Sequence, residues 1–217
     1  MLRSKRWAAA AIAALLVFTL SGAVQAGAPY SAENAPGMNK PRQEVYAALY
    51  RSGVRDLTAD HWAAGSLTEM MARHLMVPDG AGRIYPEAAL LDQDSIRIFV
   101  KALGIADLYD DTETALAKAQ AAGLLPSEGE ALDTMARIEL ARLAAKALGI
   151  APRLYIDNAN YPFNDYYAVS QADAALVAGL YDAGLFQGYP ERLFRPEEPL
   201  TRAELAAVID RVLGALP

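Results

Sequence analysis

The stretch Gly184-Leu185-Phe186-Gln187-Gly188-Tyr189-Pro190-Glu191-Arg192-Leu193-Phe194-Arg195-Pro196-Glu197-Glu198-Pro199-Leu200-Thr201-Arg202-Ala203-Glu204 decides the fold of this chain. Its glycines and prolines read as a loop, and its last four residues read as a helix start. Thr201 and Glu204 have the T-x-x-E spacing of a capping box, with the hydroxyl accepting from the Glu204 amide and the carboxylate from the Thr201 amide. Leu205, Val208, Ile209, Val212 and Leu213 follow at three- and four-residue spacing, which predicts one apolar helix face running to about Leu213. Arg202 sits in the first turn, where the helix dipole disfavours a cation. That makes it the first candidate for a ligand contact.

Weaker copies of this stretch lie upstream, and internal repetition outranks local propensity in fixing a fold. Moving back 110 residues overlays His74-Leu75-Met76-Val77-Pro78-Asp79-Gly80-Ala81-Gly82-Arg83-Ile84-Tyr85-Pro86 on Gly184 to Pro196, with Ile98, Phe99, Leu103 and Gly104 on Val208, Ile209, Leu213 and Gly214. Moving back 65 residues overlays Ala136-Arg137-Ile138-Glu139-Leu140 on Thr201 to Leu205. Each unit opens with an apolar-x-Asp triplet: Val54-Arg55-Asp56, Leu108-Tyr109-Asp110 and Phe163-Asn164-Asp165. An Ala/Leu-rich helix follows, ending near Gly123, Gly184 or His74. A partial copy, Pro41-Arg42-Gln43-Glu44-Val45, supplies a second helix without a first and is expected to cover the first unit, because one such unit cannot bury its own apolar face. The expected class is all-α, mostly helical with long loops.

The chain has 217 residues, 53% hydrophobic and 21% charged, which suits globular structure. It has no cysteine, which excludes disulfides, thiolate metal sites and a cysteine nucleophile. Two histidines, His61 and His74, are too few for a histidine metal cluster and read as ordinary surface or packing residues; no metal or cofactor is expected. Arg3, Lys5 and Arg6 precede an apolar run from Trp7 to Leu20, and Val24-Gln25-Ala26 offers small residues at a cleavage site, so residues 1–26 read as a signal peptide. The rival is an uncleaved anchor, since the stretch to Ala26 is nearly long enough to span a bilayer. Loss of three cations with the signal takes the net charge from −6 to −9, which argues against nucleic acid as a partner. No later run approaches membrane-spanning length.

The repeated units resemble S-layer homology repeats, short modules that usually occur in threes on bacterial surface proteins. The third unit carries the resemblance in Phe163-x-Asp165, Gly184-Leu185-x-x-Gly188-Tyr189, Phe194-x-Pro196 and Leu200-Thr201-Arg202-Ala203-Glu204. The first unit keeps it up to Pro86, and the second is eroded, with a shortened loop from Leu125 to Leu132. The resulting division is a signal peptide (1–26), a flexible lead (27–40), a partial repeat helix (41–53), repeat 1 (54–105), a degenerate repeat 2 (106–150) and repeat 3 (151–217). The resemblance implies a pseudo-threefold arrangement around a central helical bundle. It also implies inter-repeat grooves that hold a secondary cell-wall polysaccharide, often bearing pyruvate ketals on an N-acetylated hexosamine, with the helix-start arginine helping to bind it. A guanidinium beside free helix-terminal amides suits such a carboxylate.

Across the four helix starts the arginine position reads Arg42, Asp92, Arg137 and Arg202. Asp92, with Asp94 at the glutamate position, argues against an anion site at the first unit. Arg137 keeps the Arg-x-Glu pair, though Ala136 replaces the capping threonine. Arg202 alone keeps the full setting, and Arg42 follows Pro41 at a good first-turn position. Among the aromatics Trp62, Tyr85, Tyr166, Tyr167 and Tyr189, which can stack on sugar rings, Tyr189 is the best exposed candidate and Trp62 has core packing as its rival. Arg83, Arg192 and Arg195 read as solvated loop charge. Glu139 and Glu204 read as helix caps.

The function implied is a non-catalytic cell-surface anchor for a pyruvylated amino-sugar polymer, with polysaccharide contacts at Arg202, Arg137, Arg42, Tyr189 and Trp62. Other surface-layer proteins are a further class of partner. The alternative is a degenerate scaffold for protein assembly at the envelope. A glycosidase would need a pair of carboxylates facing each other, and no pair stands out. The expected location is the cell wall, surface layer or envelope surface.

Overall fold

Three extended residues, Leu90, Met135 and Leu200, are tied into a closed triangle. Leu90 N donates to Leu200 O (3.0 Å), Leu200 N to Met135 O (2.7 Å) and Met135 N to Leu90 O (3.0 Å). The computed structural model describes residues 40–125 and 134–215, and isolated bridges Ala89–Thr201, Leu91–Thr134 and Ala136–Pro199 flank this triangle. The expected signal peptide, nearly all of the flexible lead and most of the second unit's loop lie outside the described residues.

The described residues form an all-α structure: α1 (Arg42–Ser52), α2 (Ala64–Ala72), α3 (Asp92–Ala102), α4 (Thr112–Ala121), α5 (Arg137–Leu148), α6 (Gln171–Asp182) and α7 (Arg202–Ala215), with a 3-10 turn at Tyr166–Ala168. Each corner of the triangle starts a long helix, namely α3, α5 and α7. The triangle's register places Leu90, Met135 and Leu200 in equivalent positions, so the overlays by 110 and 65 residues correspond to equivalent places in space.

Helix pairing follows the same cycle. α3 packs on α4 and α5 on α6, while α7 crosses back to α2. The partner of α2 in this cycle is the last helix and not the partial repeat helix, which sits on α2 as an extra element through Val45 and Leu49. Ser66 Oγ donates to Asp210 Oδ2 (2.9 Å) in the buried α2–α7 seam. α7 also touches α3. The sequence suggests one apolar face for α7, but every residue from Ala203 to Val212 is buried. Alanines at 203, 206 and 207 let neighbours approach the sides that the larger apolar residues leave thin. A helix buried all round belongs at the centre of a bundle.

The capping residues differ in kind. Thr201 and Glu204 form the reciprocal box, with Thr201 N to Glu204 Oε2 at 3.0 Å and Glu204 N to Thr201 Oγ1 at 3.2 Å. At α5 only half of it exists: Glu139 Oε2 accepts from Ala136 N (2.7 Å), and alanine has no acceptor to return. Asp111 and Ser170 cap α4 and α6 by accepting from Thr114 N and Asp173 N.

Candidate functional site

Two loops, 74–86 and 184–196, are built alike. They share backbone bonds one for one: Asp79 N to Arg83 O and Gly82 N to Asp79 O in the first, Tyr189 N to Leu193 O and Arg192 N to Tyr189 O in the second. Each loop turns at a non-glycine residue with positive φ, Tyr85 (51°) and Arg195 (56°). The opening aspartates hold these turns. Asp56 accepts from Ile84 N (2.8 Å) and Tyr85 N (2.7 Å), and Asp165 from Phe194 N (3.0 Å) and Arg195 N (2.7 Å). A carboxylate gathering two adjacent amides offsets the cost of a left-handed residue that is not glycine. That is the structural role of Asp56 and Asp165, the acids of the first and third apolar-x-Asp triplets; Asp110 accepts from Asp107 N (2.7 Å) and Lys118 Nζ (2.6 Å).

Beneath the second loop lies Arg137, only 6% exposed. Its guanidinium is 3.5 Å from Glu204 Oε1, donates to Gln187 O, and lies over the rings of Phe194 and Tyr189 at 5.2 Å each. Glu204 is therefore more than a cap. One oxygen serves Thr201 N while the other receives the Tyr189 hydroxyl and faces Arg137. Tyr189 is half-buried, not an open platform, and Arg195 stacks on its ring at 4.1 Å. Burial, then the bond to Glu204, pushes the Tyr189 hydroxyl up to about 12. Burial lowers the Arg137 pKa, opposed by the Glu204 charge. This groove has its arginine, its carboxylate and its aromatic partner all supplied from within.

Arg202 occupies the equivalent place one step round the triangle, against loop 74–86. Asp94 stands where Glu204 stands in the other groove, but it bonds Arg97 (Nη2 to Oδ1, 3.0 Å). Among the described residues Arg202 has no side-chain hydrogen bond or ion pair, and the Nε atoms of Arg202 and Arg97 are buried without partners. Beside them opens a cavity of about 160 Å³, lined by Arg202, Asp94, Arg97, Lys101, His74 and apolar groups such as Leu90. Three permanent cations face one carboxylate there. Burial lowers the pKa of both Arg202 and Lys101; at Arg202 the Asp94 charge opposes this, and at both groups like-charge repulsion from Arg97 adds to it. An arriving anion relieves that repulsion.

The helix-terminal amides do not contribute as the sequence suggests. Arg202 N donates to Ala88 O (3.1 Å) and Ala203 N to Pro86 O (2.9 Å), while Glu204 N goes to Thr201. Arg137 N and Ile138 N are likewise taken by Glu198 O and Pro196 O. Closing the triangle uses these donors, so side chains must supply the charge.

The remaining candidates lie elsewhere. Arg42 is exposed, pairs with Asp60 and covers the Tyr46 ring at 5.8 Å. Trp62 precedes α2 instead of lying within a helix, is 51% exposed and stacks on His61 at 5.8 Å. Neither lines the cavity. Tyr85 is tied to Asp79 through its hydroxyl (2.7 Å). Sequence reasoning missed Arg97, Lys101 and His74. Asp94, Arg97 and Lys101 recur at i, i+3 and i+7, one face of α3, and that spacing was the available signal.

Residues 162–206 match the S-layer homology domain. The S-layer homology match thus spans Asp165, the loop 184–196 and the first turn of α7 with Arg202, whereas His74, Arg97 and Lys101 fall outside it. Over 165 residues the chain is also 24% identical to the exoglucanase XynX of Acetivibrio thermocellus. That alignment takes in 69% of this chain and 15% of the relative's length.

Proposed function

We propose that this protein is a non-catalytic envelope anchor that binds an acidic cell-wall polysaccharide through the Arg202 cavity. The S-layer homology match supports a role at the cell surface, since such domains generally attach proteins to cell-wall polymers. The XynX alignment covers too little of that enzyme to bring its catalytic activity here. The observation that carries the reading is Arg202 itself, a half-buried guanidinium without a side-chain partner beside a cavity with two more cations than anions. A carboxylate such as a pyruvate ketal is the chemistry that this arrangement accepts, with Arg202 and Arg97 as donors and Leu90 and Ile98 against the sugar or methyl face.

In this reading three repeats, 54–105, 106–150 and 151–217, close cyclically, and residues 1–26 direct export. Arg137 and Tyr189 hold the fold of their groove and leave the Arg202 cavity as the main site. Arg42 and Trp62 are peripheral contacts for a long polymer. The closed Arg137 groove favours a second reading for that face, a scaffold on which other surface-layer proteins assemble.

Cosedimentation with purified cell wall, compared with wall stripped of its polysaccharide, tests the anchor. Retention only on intact wall, weakened about tenfold or more by Arg202→Ala, is expected. Equal retention on both walls, or no effect of Arg202→Ala, removes the proposal.

A further inference from the structure

The residue at the rim of the Arg202 cavity is His74, and its backbone conformation is unusual for what surrounds it. Its φ is 57°, and the residue in the equivalent place of the second loop is Gly184, with φ 72°. Gly123 holds the same left-handed conformation after α4, where the chain likewise leaves its helix. Glycine adopts this conformation without steric cost, whereas a side chain there is strained against its own backbone. The first unit alone carries a side chain at this turn, and the side chain is an imidazole lining the cationic cavity.

We propose that His74 makes anion binding in this cavity pH-dependent, tightening it as the solution becomes mildly acidic. The inference rests on the Arg202 cavity being the polysaccharide site. The groups facing His74 across the cavity are Asp94, Arg97 and Lys101 from α3 and Arg202 from α7; Arg73, its neighbour at the end of α2, is paired with Glu69. The ordinary titration ranges of carboxylates, lysine and arginine lie outside pH 5 to 8. Imidazole is the one lining group whose ordinary titration falls in that interval. Protonation adds a fourth cation at the mouth. By linkage, a bound anion favours the protonated ring as strongly as the protonated ring favours the anion.

The test is calorimetric titration of the full chain with a methyl glycoside carrying a pyruvate ketal, at pH 5 and pH 8. The ketal carboxylate is ionised throughout, so a pH effect belongs to the protein. Wild type is expected to bind about threefold more tightly at pH 5, the scale of a solvent-exposed charge pair. His74→Gly relieves the turn and keeps the fold. It is expected to bind equally at both pH values, with the wild-type affinity at pH 8. Binding that is flat with pH in the wild type, or a pH effect that persists in His74→Gly, overturns the role of His74 while leaving the site intact. Absence of binding at both pH values overturns the site itself, and the His74 role with it.

Discussion

Arg137 Nη1 lies 3.5 Å from Glu204 Oε1, whereas Arg202, one step round the same triangle, makes no ion pair with Asp94, which bonds Arg97. The same helix-start arginine thus has two fates. In one groove a glutamate long enough to cap its helix and still reach the guanidinium closes the site. In the other a shorter aspartate, captured by its own helix neighbour, leaves the arginine available.

Arg137→Ala is expected to lower the unfolding free energy by about 3–5 kcal/mol, because the Glu204 carboxylate stays behind in a nearly buried site without its cation. Urea denaturation followed by circular dichroism measures this. A loss below about 1 kcal/mol would mean that the pair does not hold the groove.

Arg202→Ala is expected to change stability by less than about 1 kcal/mol, with a rise more consistent than a fall, since an unpartnered half-buried charge is removed from beside Arg97. The same variant is expected to bind cell wall about tenfold or more weakly. The contrast between the two arginines separates a structural site from a binding site in one experiment.

Asp165→Asn keeps the size of the side chain but replaces a charged acceptor of two amides by a weaker one. A loss of about 1–3 kcal/mol is expected, together with faster proteolysis within 184–196. If cleavage is unchanged, the carboxylate is not what holds the left-handed turn at Arg195.

Ser66→Ala removes a buried hydrogen bond from the seam that closes the helix cycle, and is expected to cost about 1–3 kcal/mol. Hydrogen exchange should then accelerate in α2 and α7 together. Acceleration in α2 alone would argue against the two helices opening as one unit.

Acid sensitivity is expected at the α5–α6 pair. Arg142 grips Asp173 with two bonds of 2.8 Å, and these hold the Asp173 carboxyl below its ordinary pKa. A depressed carboxyl contributes stability that is present above its unfolded pKa of about 3.9 and is lost as the pH falls through the lower folded value. Stability measured from pH 6 to 2 should therefore fall less steeply in Asp173→Asn than in the wild type. Identical slopes would show that the pair contributes nothing to the acid limb.

Much of the fold was legible because its signals are local. T-x-x-E at 201–204, the apolar spacing from Leu205 to Val212 and the loop overlays each depend on residues close in sequence, and each fixes a cap, a helix or a turn. The candidate site was legible only in its arginines. Tyr189 reads as an exposed loop aromatic, yet it folds onto Arg137 from the preceding helix start because the loop of one unit lies over the helix of another. His74 looks like an ordinary helix-end residue until the tertiary structure sets it opposite Lys101 and Arg202.

The sequence by itself determined that four related helix starts exist, that Asp56 and Asp165 recur among them, and that Arg202 lies where a helix does not want a cation. Tertiary structure alone decided which arginine is free. Closing the triangle through Leu90, Met135 and Leu200 consumes the helix-terminal amides, and it brings Arg137 and Arg202 each near an acid from a different unit, Glu204 and Asp94. Whether that acid reaches the guanidinium depends on the length of its side chain and on the cation beside it on its own helix. Glu204 reaches, and Asp94 is held by Arg97.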